Sequence, residues 1–341
     1  MLPALFLAAA AIAGRIPVVL DTDCGFASDD AMALLALLQS EKVELLGVTV
    51  VTGNDWLKQE VQNVLRLLEI AGQPDVPVFA GSERPLVTSQ EEMIRRERVY
   101  GETSDGGYKG AWREGGPGPH DVVPPDGVLA SIRPREKHAA DFLIETIRGR
   151  PREVVVAAIG PLTNVALALA KDPEIASLSR ELVVMGGGIG RLPEFNFWMD
   201  PEAARMTLRA EWPQVTLTPI NIAEQAPFTL EAAGTLASID SPIGRYFEAA
   251  HVARVAAHPV TPLMYDQIAV LGFLDPGTVR RSEEMFLDVE VDHGALYGQT
   301  LYWDSERRPP EGVRKARVLL DLDAPRFMKA FSDLMKKPGD R

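Results

Sequence analysis

The first stretch of the chain that could carry chemistry is rich in carboxylates. Directly after a short apolar run at residues 16–20 come four of them within ten residues: Asp21, Asp23, Asp29 and Asp30. Carboxylates this close together repel one another unless a cation neutralises them. Ca²⁺ takes about six to eight oxygen ligands from carboxylates, backbone carbonyls and water. The pattern therefore predicts a hard divalent cation; the simpler alternative is that Asp29 and Asp30 only stabilise a helix N-terminus, by about 0.3–1 kcal/mol each.

Further polar side chains follow later apolar runs, and each also has a structural interpretation. They are Asn54, Thr163, Glu194, Asn196 and Asp266. Asn54 could be a turn amide, Thr163 a helix N-cap, and Glu194 with Asn196 part of a solvated loop. Asp200 precedes Pro201. Because that pair is typical of a helix N-cap followed by its first residue, we expect Asp200 to be structural.

These side chains follow apolar runs that alternate with helical patterns. Strands are predicted at 16–20, 43–51, 76–80, 153–159, 181–185 and 215–220. Repeated units of strand, glycine turn and helix predict a mainly parallel, twisted sheet with helices on both faces. In such sheets ligands bind outside the carboxyl ends of the strands, which is where the polar residues fall.

Two stretches depart from this pattern. Residues 82–135 are rich in Gly, Pro and charge, so we expect a long loop or flap there. Near the C-terminus, 284–291 and 295–303 flank Asp292-His293-Gly294, which predicts a hairpin, and 315–322 predicts one more strand. Since no linker or internal repeat interrupts the chain, we predict a single α/β domain over 14–341 with a small antiparallel extension near its C-terminus.

Composition excludes several kinds of partner and site. The formal net charge is −13, with 48 acidic against 35 basic residues. This balance disfavours nucleic acid and anionic membranes as partners and favours a small molecule. The single cysteine, Cys24, cannot form an internal disulfide or a cysteine-based zinc cluster.

The N-terminal segment, residues 1–13, is apolar and rich in alanine. It is too short to span a bilayer, but it has the length of the hydrophobic part of a signal peptide. Ala11-Ile12-Ala13 also fits a cleavage site. We therefore predict a signal peptide and export to the periplasm or beyond the cell; the alternative is a cytoplasmic protein with an apolar arm.

A set of motifs occurs along the chain in the order typical of one enzyme family. The motifs are Asp21-Thr22-Asp23 with Asp29-Asp30, Val51-Thr52-Gly53-Asn54, residues 76–81, residues 159–164, Met185-Gly186-Gly187, Glu194-Phe195-Asn196, residues 200–204 and Asp266. Each motif is modest, but the ordered set resembles the nucleoside hydrolase family (inosine/uridine-preferring type) over nearly the whole chain after residue 13.

The resemblance implies a calcium-dependent hydrolase that cleaves the N-glycosidic bond of ribonucleosides, and it leaves room for a homo-oligomer, either a dimer or a tetramer. It implies that calcium is held by Asp23, Asp30, the backbone carbonyl of Thr163, and Asp266. It implies that the ribose hydroxyls are bound by Asp29, Asn54, Glu194 and Asn196. Asp23 would also be the general base toward a calcium-bound water. Acids around the sugar suit this reaction because its transition state resembles an oxocarbenium ion.

At three places the sequence differs from the family pattern, and each difference concerns the predicted site. The turn from Asp23 to Asp29 is longer than usual. The segment between Gly188 and Glu194 lacks the Gly-Asn that often contacts the ribose 5′-hydroxyl. Tyr265 stands where the family branch has His, so we expect Tyr265 either to protonate the leaving base or to pack against it. Trp198 could stack on a base, and His258 is a more distant candidate acid.

Two rival functions remain open at this point. A ribose- or nucleoside-binding protein with weak catalysis would keep the same fold and cation, and release of free ribose separates it from an enzyme. An aspartyl phosphotransferase would also use Asp21 and Asp23 after a strand. It is disfavoured because no lysine follows a strand end and the adjacent acids would repel phosphate. For the same reason we expect nucleosides to be preferred over 5′-phosphorylated nucleotides.

Overall fold

Buried aliphatic strands determine the centre of the fold. The computed structural model describes residues 14–304 and 308–336, so the segment predicted to be a signal peptide, 1–13, lies outside the described residues. In the described part the strands are β1 (Ile16–Thr22), β2 (Val43–Val50), β3 (Val78–Ala80), β4 (Val155–Ala158), β5 (Glu181–Met185), β6 (Val215–Thr218), β7 (Val279–Val289), β8 (Thr300–Trp303) and β9 (Arg314–Leu322). They form one nine-stranded sheet with the order β3-β2-β1-β4-β5-β6-β9-β7-β8.

The sheet is parallel from β3 through β9, and β7 runs antiparallel to both β9 and β8. β1 lies between β2 and β4, near the middle of the parallel part. Alternate β1 residues enter different cores: Val18 and Leu20 pack on one face of the sheet, and Val19 on the other. The predicted α/β class and the antiparallel C-terminal extension are therefore confirmed.

Helices cover both faces of this sheet. They are α1 (Asp29–Leu38), α2 (Leu57–Ile70), α3 (Gln90–Tyr100), α4 (Ala139–Gly149), α5 (Thr163–Lys171), α6 (Ile175–Leu178), α7 (Phe195–Met199), α8 (Pro201–Arg209), α9 (Ile220–Ala223), α10 (Leu230–Ala237), α11 (Pro242–Phe247), α12 (Ala253–Ala257), α13 (Asp266–Leu274) and α14 (Ala324–Met335). A π-helical turn, Glu248–Val252, joins α11 to α12. Within 14–304 and 308–336, no helix combines the length and apolar composition needed to cross a bilayer.

The excursion at 82–135 is partly helical and well packed. It contains α3 and two short 3₁₀ turns, Asp105–Gly107 and Gly110–Trp112. Trp112 is 4% exposed and forms a small core with Met93 and Trp198. Arg66 on α2 also binds Asp126 of the excursion, with 2.8 Å between Nη2 and Oδ2. These contacts fix the excursion as a roof beside the carboxyl ends of the strands.

Candidate active site

A cavity of about 500 Å³ lies outside the carboxyl ends of the parallel strands. Its lining includes eight of the nine predicted site residues: Asp23, Asp29, Asp30, Asn54, Glu194, Asn196, Tyr265 and Asp266. Thr163 is not among the lining residues. The sheet brings these side chains together because each follows a strand or begins a helix at the same edge.

Asp30 lies at the start of α1 and is held by three polar neighbours. Its carboxylate accepts hydrogen bonds from Thr22 Oγ1 at 2.6 Å, from Asn54 Nδ2 at 2.8 Å and from Ser28 Oγ at 3.2 Å. Ser28 is also the N-cap of α1. The long turn after Asp23 therefore still ends in a regular helix start that aims Asp30 at the cavity.

Asp23 is enclosed by two loops that contain glycine at the point of contact. A Cβ atom at Gly53 would lie 2.1 Å from Asp23 Oδ2, and one at Gly160 would lie 2.6 Å from Oδ1. The backbone N–H of Asn54 donates to Asp23 Oδ2 at 2.8 Å. Both glycines are therefore needed so that the loops after β2 and β4 can close around this carboxylate.

The four acids at this end of the cavity meet in pairs. Asp23 is hydrogen-bonded to Asp30, and Asp29 to Asp266. Carboxylate oxygens of Asp29, Asp30 and Asp266 also lie within 4.8 Å of one another. Burial, followed by the neighbouring acids, raises the pKa of Asp23 and of Asp266 well above the ordinary value and that of Asp29 to about 6.

No Lys or Arg of the described residues forms an ion pair with these four acids. Buried carboxyl groups in contact need either a shared proton or a cation between them. An all-oxygen donor set of this kind suits a hard divalent ion such as Ca²⁺. The residues present therefore fit a metal ion at this end of the cavity.

Glu194 and Asn196 are buried, so their alternative placement in a solvated loop is wrong. Glu194 is the N-cap of α7 and accepts from the backbone N–H of Asn196 at 2.9 Å and of Gly187 at 2.8 Å. Burial raises the pKa of Glu194 to about 7. Asn196 Nδ2 donates to the backbone carbonyl of Ile159 at 2.9 Å and to that of Met185 at 3.2 Å. The two side chains thus connect α7 to the ends of β4 and β5.

Thr163 lies behind the cavity. It is the first residue of α5, and its Oγ1 donates to Asp200 Oδ2 at 2.6 Å. Because Leu162 occupies the N-cap position, the alternative role of Thr163 as a helix cap is wrong. Asp200 is the N-cap of α8, as expected, and accepts from the backbone N–H of Ala203 at 3.1 Å.

Behind the acids, Asp21 is the centre of a group of hydrogen bonds that the sequence analysis did not predict. Asn164 Nδ2 donates to Asp21 Oδ1 at 2.8 Å, and Thr49 Oγ1 donates to the same oxygen at 2.6 Å. Burial raises the pKa of Asp21 to about 7. Asp21 therefore joins β1, β2 and α5 and does not line the cavity.

The roof also contributes cavity residues that the sequence analysis did not single out. The hydroxyl of Tyr108 donates to Asn54 Oδ1 at 2.8 Å, and its ring meets Phe195 edge-on at 4.9 Å between centroids. Asp105 and Gly106 line the same side. The only sequence signal for these residues was the length of the excursion itself.

The remaining lining contains an apolar wall and three polar side chains. It includes Phe228, Val255 and Leu263 together with His251, Arg254 and His258. Tyr265 is half-buried, and burial followed by the charge of Asp29 raises its pKa to about 12. Trp198 is fully buried beneath the roof, so its predicted stacking on a base is not available in this structure. His258 does reach the cavity despite its distance along the chain.

Comparison with known proteins agrees with this geometry. The family model described as inosine-uridine preferring nucleoside hydrolase matches residues 18–329. The inosine-uridine preferring nucleoside hydrolase of Crithidia fasciculata is 27% identical over 95% of this chain and 98% of its own length. A pyrimidine-specific ribonucleoside hydrolase of Shewanella woodyi is 34% identical over 67% of this chain and 68% of its own. The solved structure of an inosine-guanosine nucleoside hydrolase has a TM-score of 0.76 at 27% identity, covering 95% of this chain and 99% of that one. The chain belongs to the inosine-uridine preferring nucleoside hydrolase family and is a hydrolase of N-glycosyl bonds.

Proposed function

We propose that this protein hydrolyses the N-glycosidic bond of ribonucleosides in a Ca²⁺-dependent reaction and releases the free base and ribose. The observation that supports this most is the polarity of the cavity. Four acids, three of them buried, converge at one end, whereas Phe228, Val255 and Leu263 add apolar side chains to the rest of the lining. A polyhydroxylated sugar suits the acidic end, and a flat heterocyclic base suits the apolar wall.

Asp23, Asp30 and Asp266 would hold the calcium ion, and Asp29 is close enough to add an oxygen. The carbonyl of Thr163 stays a prediction. As the first residue of α5 it directs its carbonyl along the helix, away from the N-terminus. Ile159 lines the cavity, and its carbonyl accepts a hydrogen bond from Asn196, which lines the cavity as well. Ile159 is therefore the better-placed backbone ligand. Bound calcium would neutralise the acids and polarise an oxygen ligand.

The ribose hydroxyls would be bound by Asp29, Asn54, Glu194 and Asn196, all of which line the cavity. In the transition state positive charge develops on the sugar ring. Carboxylates held in place by Thr22, Ser28 and Asn54 stabilise that charge without having to reorganise.

Asp23 would take the proton from the attacking water. Its carboxylate lies against the ends of β2 and β4 and is fixed by the backbone N–H of Asn54. Bound calcium would favour the ionised form of this carboxylate, which is the form that can accept a proton.

The leaving base needs a proton or a hydrogen bond to depart. Tyr265 lines the cavity directly before Asp266, and with a pKa of about 12 it stays protonated at neutral pH. It would donate its hydroxyl to the base as the bond breaks.

The test is a reducing-sugar assay over a panel of purine and pyrimidine nucleosides, with chelator and with calcium added back. We expect ribose release that the chelator abolishes, and about one calcium per chain by elemental analysis. Asp30→Asn should lose both activity and calcium. Asp121→Asn, which changes an exposed acid of the excursion outside the cavity, should keep both.

Calorimetric binding of nucleosides without any release of ribose would instead support the alternative, a nucleoside-binding protein of the same fold. Stoichiometric transition metal without calcium would contradict the proposed ion.

A further inference from the structure

The structure assigns a substrate-binding role to Asp105: we propose that its carboxylate accepts a hydrogen bond from the 5′-hydroxyl of the ribose, and that Arg191 positions it. This inference rests on the proposed function, because it assumes a ribonucleoside in the cavity. Asp105 belongs to the excursion and lines the cavity.

The segment 103–108 is joined to residues 191–198 by several contacts. The backbone N–H of Asp105 donates to the carbonyl of Pro193 at 2.8 Å. Trp198 Nε1 donates to Thr103 Oγ1 at 3.0 Å. These bonds hold Asp105 beside Glu194. Burial is the main cause of the raised pKa of Glu194, and the charge of Asp105 adds a smaller increase. The corner is therefore built from two chain segments that have fixed positions relative to each other.

Both oxygens of the Asp105 carboxylate accept from Arg191, and the hydrogen bond to Oδ1 is the long one. Arg191 Nε donates to Asp105 Oδ2 at 2.6 Å, whereas Arg191 Nη2 is 3.5 Å from Oδ1. The side chain of Asp105 is 17% exposed. Because each oxygen of an ionised carboxylate can accept two hydrogen bonds, Oδ1 can accept a second one from a group in the cavity.

The shape of a ribonucleoside brings its 5′-hydroxyl to this corner. The vicinal 2′- and 3′-hydroxyls occupy one edge of the sugar ring, and the base and the 5′-carbon leave from the other edge in different directions. With the diol on the four acids and the base on the apolar wall, the polar corner of Asp105 and Glu194 remains for the 5′-hydroxyl.

The segment 188–193 itself carries no Asn or Gln side chain that could bind the 5′-hydroxyl. It carries Arg191, and the charge of Arg191 is already balanced by Asp105 and Glu224. With Glu194 added, this corner is net negative. A neutral hydroxyl donor is therefore accepted there, and a 5′-phosphate is repelled.

The test compares each nucleoside with its 5′-deoxy analogue in the calcium-loaded enzyme. The wild type should prefer the parent nucleoside by about 10- to 100-fold in kcat/KM, as expected for a hydrogen bond to a charged acceptor. Asp105→Ala should lower kcat/KM on the parent nucleoside by that factor and leave kcat/KM on the 5′-deoxy analogue unchanged. The ratio of the two kcat/KM values should then approach one. Arg191→Met should lower the ratio partially. Asp121→Ala, in the same excursion but outside the cavity, should leave it unchanged.

An equal loss on both substrates in Asp105→Ala would make Asp105 a structural residue and overturn the inference, as would an unchanged ratio. If the wild type releases no ribose, the proposed function fails on its own. In that case calorimetry gives the Kd of the parent nucleoside and of its 5′-deoxy analogue. The ratio of these two Kd values then tests the role of Asp105 separately.

Discussion

The most specific prediction about a single residue concerns Tyr265, because this side chain lies beside both the acids and the apolar wall. Its hydroxyl is protonated at neutral pH, since burial raises its pKa to about 12. It is a weaker acid than an imidazolium ion, so its contribution should lie at or below the low end of the roughly 10²–10⁴-fold typical of a positioned acid.

We expect Tyr265→Phe to slow nucleosides with poor leaving groups by about 10- to 100-fold in kcat. The loss on p-nitrophenyl riboside should be small, because nitrophenolate departs without an acid. Steady-state kinetics on both substrates checks this. Equal losses would show that Tyr265 is not the donor, and no loss on either would leave it as a packing residue.

At the scale of loops and helices, the close approach of the loops after β2 and β4 to Asp23 is the critical feature. We predict that Gly160→Ala lowers kcat/KM by about 10²-fold, because its Cβ would lie 2.6 Å from Asp23 Oδ1 and displace that carboxylate. Gly149→Ala, at the end of α4 where a Cβ meets nothing within 4 Å, is the matched control. Wild-type activity in Gly160→Ala would contradict this role for the glycine.

The strand ends were predictable from the sequence, whereas the roof was not. Asp23, Asn54 and Asp266 follow strands or begin helices, so the rule for parallel sheets places them together. Asp105 reaches the cavity through contacts with residues nearly ninety positions away, and no local periodicity encodes such contacts. Thr163 shows a second limit: a motif identifies the turn, but only the direction of α5 shows where its carbonyl points.

Across the whole molecule, buried acids should make stability depend on pH and on calcium together. Burial raises the pKa of Glu194 from 4.5 to about 7, so the folded state binds this proton more tightly than the unfolded state. The resulting stabilisation is complete below about pH 4.5 and is lost as pH rises through about 7. Asp21 and Asp29 act in the same direction. Ion-paired surface acids such as Asp126 have a lowered pKa, so their stabilisation is lost only in more acidic solution.

We therefore expect the Tm in chelator to fall as pH rises from about 5 to 8, the window set by these groups. Calcium should raise the Tm more at the higher pH, because its ligands must be ionised to bind. Calorimetry with and without calcium checks both trends, and Glu194→Gln should flatten the slope in chelator. A Tm in chelator that rises over this range would contradict the assignment.

The unequal exposure of the two ends of the cavity has a kinetic consequence. The acids lie beneath the roof, where Asp23 and Asp30 are each 1% exposed, whereas Arg254 and His258 at the other end are exposed. With the nucleoside bound as proposed, the base would be nearer the opening after cleavage, and the sugar would remain behind it on the acids. Products should then leave in a fixed order, base first and ribose last. Ribose would inhibit competitively against the nucleoside and the base noncompetitively, so the enzyme would be more sensitive to accumulated sugar than to accumulated base.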